Sequence, residues 1–124
     1  MKIHSLLHCS LITEDLTRAR AFYEGVLGLT PSPCRPTMNF DGVWYELGAQ
    51  QIHLLCLPNP DRDVVRPRHG GRDRHVALGV SSINELAMKL EAADIPFTRS
   101  QSGRAALFSR DPDNNALEFI EATD

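Results

Sequence analysis

Apolar positions recur along this chain at two spacings, two residues and three to four residues, and the spacing changes in the same order twice. Residues 6–12 are mostly apolar and read as a strand, with His8 inside it. Thr13-Glu14-Asp15 then offers a helix start with Asp15 as N-cap. Leu16, Ala19, Phe22, Tyr23, Val26 and Leu27 form one apolar stripe of an amphipathic helix, and Gly28 sits where a left-handed C-cap is expected. The proline-interrupted stretch 31–37 can be at most an edge strand. Two further strands are predicted over 40–47 and 51–57, joined by Gly48-Ala49.

The order then starts again. Residues 75–80 read as a strand, Ser82-Ile83-Asn84-Glu85 as a capping box, and Ile83, Leu86, Leu90 and Ala93 as the stripe of a second helix ending before Pro96. Short strands follow over 97–100, 104–109 and 117–121, the last after the turn Asp111-Pro112-Asp113-Asn114-Asn115, where Asn can take a left-handed conformation. The fold class is therefore α+β. Between the halves, 58–74 has two early prolines (Pro58 and Pro60), Gly70-Gly71 and five arginines (Arg62, Arg66, Arg68, Arg72, Arg74) with little apolar content, which reads as a mobile linker. The chain is expected to be a single domain, 1–124, built as a first module 1–57, a linker 58–74 and a second module 75–124.

The halves align. An offset of 67 residues relates His8 to His75 and Asp15 to Ser82, and an offset of 65 relates Gln51-Ile52-His53-Leu54-Leu55 to Ala116-Leu117-Glu118-Phe119-Ile120. A near-constant offset across different elements is a repeat signal. Two such modules could set their sheets side by side as one curved mixed sheet, with helices on the outer face and His8, His53, His75 and Glu118 on the concave one.

Glu118 is the chemically demanding residue, a carboxylate between Leu117 and Phe119. A buried charge is normally paired or bound to a metal. Three imidazoles and a carboxylate form an N/O donor set suited to Fe, Mn, Co, Ni or Zn, and affinity order does not choose among them. Four protein ligands on an octahedral ion would leave two positions for a substrate, as Lewis-acid chemistry requires.

Composition narrows the partners. With 124 residues, 42% apolar and 23% charged, the chain has the profile of a globular domain. A net charge of −3 gives no reason to expect nucleic acid. No apolar run approaches the about 20 residues of a membrane span. The N-terminal residues lack a signal-peptide core, and Cys9, Cys34 and Cys56 show no CxxC spacing, so a cytoplasmic, reducing location is the expectation.

His8-x-x-Leu11, Phe22-Tyr23-Glu24-x-x-Leu27-Gly28-Leu29, Gln51-Ile52-His53, Arg74-His75-Val76-Ala77-Leu78 and Asp111-Pro112-Asp113-Asn114-Asn115 running into Leu117-Glu118-Phe119 resemble the vicinal oxygen chelate superfamily, the glyoxalase, bleomycin-resistance and extradiol dioxygenase group. The resemblance implies paired βαβββ modules, a divalent metal, a small-molecule substrate and a homodimer, with strands exchanged in some members. His53 stands where bacterial-type glyoxalase I resembles a Glu and methylmalonyl-CoA epimerase a Gln. The implied activity is that of a metal-dependent lyase or isomerase in which Glu118 or His53 moves a proton. Two other readings remain open. One is a ring-cleaving dioxygenase using His8, His75 and Glu118, with His53 as a neighbouring acid or base. The other is a binding protein without chemistry, such as those that sequester bleomycin.

Several residues have plainer roles. His4 lies near the terminus and is expected to be solvated, and His69 exposed in the linker. The arginine run reads as a solvated loop ahead of an anion site. Trp44 and Tyr45 must face opposite sides of their strand, and Cys9 and Cys56 face away from His8 and His53 as core thiols.

Overall fold

Strand β1 (His8–Thr13) runs parallel to β3 (Gln50–Cys56), and β2 (Gly42–Leu47) runs antiparallel on the other side of β3, so the first sheet has the order β1-β3-β2. The structure is a computed structural model and describes residues 1–123. The chain divides into two units, Met1–Pro60 and Asp61–Asp124. β1 starts later than the apolar run suggested: Leu6 and Leu7 lie outside it, each 68% exposed. Residues 31–37 form no strand. Only Pro31 makes a bridge, to Tyr45, as expected of a segment whose prolines lack the N–H that a ladder needs.

Helix α1 (Leu16–Arg20) is capped by Asp15, whose side chain accepts from Arg18 N at 3.0 Å. The stripe predicted as one α-helix then widens into a π-helical turn, Ala21–Val26, where Leu27 N donates to Phe22 O at 3.0 Å. Such turns favour functional or strained places, and here it lies beside the buried pair Tyr23 and Tyr45, whose rings stack at 5.8 Å. Gly28, with φ of +76°, ends the helix as expected. Ala19, Phe22, Tyr23, Val43, Tyr45, Ile52 and Leu54 make the core of this unit.

In the second unit β4 (His75–Val80) is parallel to β7 (Ala116–Glu121), which pairs antiparallel with β6 (Ala106–Arg110), and β6 with β5 (Phe97–Arg99). Helix α2 (Ile83–Ala92) is capped by Ser82, which accepts from Glu85 N at 3.1 Å. Its buried residues Ile83, Leu86, Ala87 and Leu90 join Leu107, Leu117 and Phe119 in the core. Both sheets are curved and mixed, and the two units are βαβββ-like modules.

The segment read as a mobile linker has structure of its own. It holds a 3-10 turn, Gly70–Arg72. Arg66 pairs with Asp61 (3.0 Å) and Asp73 (3.3 Å), and Arg74 pairs with Asp61. From β6, Arg110 reaches back to Asp73 Oδ2 (2.8 Å) and Pro67 O (2.6 Å). Gly71 must be small, because a Cβ there would lie 2.8 Å from His69 Nε2 and 3.1 Å from Phe108 Cζ.

Candidate functional site

Alternation along a strand puts His53 on one side of β3 and the core residues Ile52 and Leu54 on the other. The register sets Ser10 beside His53 on one flank and Trp44 on the other. His8, Trp44 and His53 form a ladder of rings across the three strands. Trp44 and His53 stack at 3.9 Å and 3° from parallel, and His53 and His8 stack at 4.1 Å and 16°. Gln51 Oε1 accepts from His53 Nε2 at 2.8 Å. Burial, with the charges of His8 and Arg35, pushes the His53 imidazole below the usual histidine range. These rings wall a cavity of about 570 Å³ that Glu46, Gln51 and Met38 also line. Tyr45, as alternation requires, faces the core, and its hydroxyl donates to Glu24 Oε2 at 2.7 Å.

Glu118 occupies the equivalent place in the second unit. Ala77 lies beside it on β4 and Phe108 on β6, so Phe108 matches Trp44 and Glu118 matches His53. The carboxylate is 5% exposed, and its two oxygens have different partners: His75 Nε2 is 3.3 Å from Oε1, and Arg104 Nη2 is 2.9 Å from Oε2. His75 Nδ1 donates to the carbonyl of Asp73 at 2.8 Å. With Nδ1 engaged by that carbonyl, it is Nε2 that faces Glu118.

The structure therefore brings the four predicted residues together as two pairs, His8 with His53 and His75 with Glu118. Within neither unit, among the described residues, do three or more His, Cys, Asp or Glu side chains gather closely enough to hold a metal. The His75–Glu118 pair fits a divalent ion. Metal–donor distances of about 2.1 Å place neighbouring octahedral ligands about 3 Å apart, close to the 3.3 Å between Nε2 and Oε1. His8 and His53 are arranged differently. They stack as two nearly parallel rings, 4.1 Å apart.

Three participants carried no clear sequence signal. Arg104 looked like the first residue of a strand, and the Gly103 beside it, with φ of +80°, was the only hint of a built loop. Asp73 was one acid in an arginine-rich stretch. His69, expected to be exposed, has Nδ1 2.7 Å from Thr98 Oγ1 and its ring edge-on to Phe108 at 4.8 Å. His4 is exposed, as expected. Cys9, Cys34 and Cys56 are free thiols, and burial raises the pKa of Cys9.

A curved βαβββ-like sheet carrying a histidine–carboxylate pair defines a class, and the comparisons agree with it. The chain belongs to the Glyoxalase/Bleomycin resistance protein/Dioxygenase superfamily, whose pattern matches residues 5–119. It is 28% identical to Glyoxylase I 4 of Arabidopsis thaliana, over 96% of this chain and 71% of that one. It is 31% identical to a lactoylglutathione lyase of Haemophilus influenzae, over 94% of this chain and 91% of that one. The structure of a lactoylglutathione lyase from Agrobacterium tumefaciens superposes with a TM-score of 0.68 at 25% identity, covering 98% of this chain and 96% of that one. Among the described residues no helix is long and apolar enough to cross a membrane.

Proposed function

We propose that this chain is a divalent-metal-dependent enzyme of the glyoxalase-like type, a lyase or isomerase acting on a small oxygenated substrate. The observation that carries the reading is the His75–Glu118 pair, one nitrogen and one carboxylate oxygen 3.3 Å apart, with the far ring nitrogen engaged by the carbonyl of Asp73. In the second unit His75 and Glu118 would hold the ion, with His8 and His53 of the first unit as the remaining candidate donors and His53 as a second proton-handling group. An ion bound there would polarise adjacent substrate oxygens and stabilise an enolate. His53, or Glu118 once its Oε1 has left the ion, would take the proton from the carbon next to the substrate carbonyl and return it to a neighbouring carbon or to the opposite face, so the group ends as it began. The similarity to enzymes named glyoxylase and lactoylglutathione lyase supports the same class.

The test is elemental analysis of protein purified without chelators, beside His75→Ala and Glu118→Ala. Wild type should carry about one metal per site and both variants much less. Equal metal in all three would overturn the site. Solvent deuterium should enter the carbonyl-adjacent C–H of a converted substrate.

A second reading is favoured by one observation, the stacking of His53 between Trp44 and His8, which leaves two histidines and a carboxylate as donors. That set suits non-haem Fe²⁺ and ring-cleaving oxygenation. Oxygen uptake with catechols by Fe²⁺-loaded protein, without deuterium exchange, would establish it in place of the first.

A further inference from the structure

We infer that Arg104 is a positioning residue for Glu118, holding one carboxylate oxygen so that only the other is presented to a metal. The inference rests on the metal-binding role of His75 and Glu118 proposed above. Arg104 Nη2 donates to Oε2 at 2.9 Å, while Oε1 faces His75 Nε2. The carboxylate is nearly buried and the arginine side chain is 57% exposed, so the guanidinium reaches inward from the surface to one atom.

The loop before Arg104 is built to hold that reach. Ser102 Oγ accepts from Arg104 Nε at 3.1 Å and lies 2.8 Å from Ser100 Oγ. Gly103 turns the chain through a left-handed conformation, φ of +80°, which a side chain would oppose. Beyond it, Ala106 N donates to Arg104 O (2.8 Å) and Glu121 N to Ala105 O (2.9 Å), which ties the residue to the strand that carries Glu118. Ligating carboxylates need such outside partners, and loss of one commonly costs about 10- to 100-fold in metal affinity.

Charge and positioning predict opposite signs. Removing a cation beside a metal site should tighten metal binding if charge alone mattered. If Arg104 positions Glu118, its removal should weaken binding.

The experiment titrates Co²⁺ into metal-free wild type, Arg104→Ala, Arg104→Lys and Ser102→Ala, following visible absorption and thermal unfolding. Arg104→Ala should bind Co²⁺ about tenfold or more weakly, with a changed absorption envelope, in titrations run well below a metal-free melting temperature that is itself lowered by the loss of a partner to the buried carboxylate. Arg104→Lys keeps the charge but not the fork and should recover part of the loss, and Ser102→Ala should fall between wild type and Arg104→Ala. Unchanged or tighter binding by Arg104→Ala overturns the inference while leaving the metal site standing. Failure of wild type to bind Co²⁺ overturns the metal reading and this inference with it.

Discussion

At the scale of single residues, the buried polar groups decide what each strand can do. Tyr45 is fully buried, yet its hydroxyl meets Glu24, which also takes Arg20 Nε at 2.6 Å. Burial first, and then the Glu24 bond, raise the Tyr45 pKa, so the phenol stays neutral and donates. Tyr45→Phe should therefore cost about 1.5–3 kcal/mol in urea unfolding, the net value of a bond to a charged group. Arg20, joined by the Tyr45 hydroxyl, holds the Glu24 carboxyl below its ordinary value against the opposing effect of burial. A depressed folded-state pKa contributes stability that is present above the unfolded value and lost as pH falls through the folded one. Wild type should lose more stability than Glu24→Gln between about pH 5 and pH 3. Equal losses in urea titrations at the two pH values would show that Glu24 contributes nothing to acid sensitivity.

Among elements, the best-anticipated features were those fixed by periodicity and capping, and the least were those fixed by charge pairing. Asp15, Ser82, Gly28 and Asn114 act as the sequence predicted because their roles are local: two N-caps and two left-handed positions, the latter at φ of +76° and +69°. The aligned offsets were also informative, since His8 lies opposite Gln51 and His75 opposite Ala116, the same register in both sheets. Arg104 and the 61–74 segment were not legible, because a salt bridge to a distant strand leaves no period in the chain. Composition alone made that segment look loose. Burial opposes the charge of Asp73, but Arg110, the Arg74 N–H and Arg66 outweigh it and lower its pKa. Arg110 also binds Pro67 O and Asn114 O, so one side chain joins the segment to the β6–β7 turn. Trypsin should consequently cut wild type slowly at Arg68, Arg72 and Arg74, and cut Arg110→Met at least several-fold faster, read by mass spectrometry of timed digests. Rapid cleavage of wild type at these sites would restore the mobile-linker reading.

For the whole molecule, the repeat divides the four candidate donors evenly, His8 and His53 in the first module and His75 and Glu118 in the second. Each sheet pairs its first strand in parallel with its last and puts one histidine at the head of the first strand. The second module adds a carboxylate at the place where the first has His53. If the proposed ion draws on both modules, metal binding is linked to the folding of both, because the unfolded chain offers no ordered set of donors. Metal at about 100 times its dissociation constant should then add about 2.7 kcal/mol of stability. For a chain of this length that is a rise in melting temperature of roughly 10 °C. The decisive comparison is His8→Ala against His75→Ala under saturating Co²⁺ in differential scanning calorimetry. Joint coordination requires both to lose most of the metal-induced rise while their metal-free melting temperatures stay close to wild type. A full rise in His8→Ala would assign the ion to the second module alone, and His8 would then be left as the outer ring of an aromatic stack on Trp44 and His53.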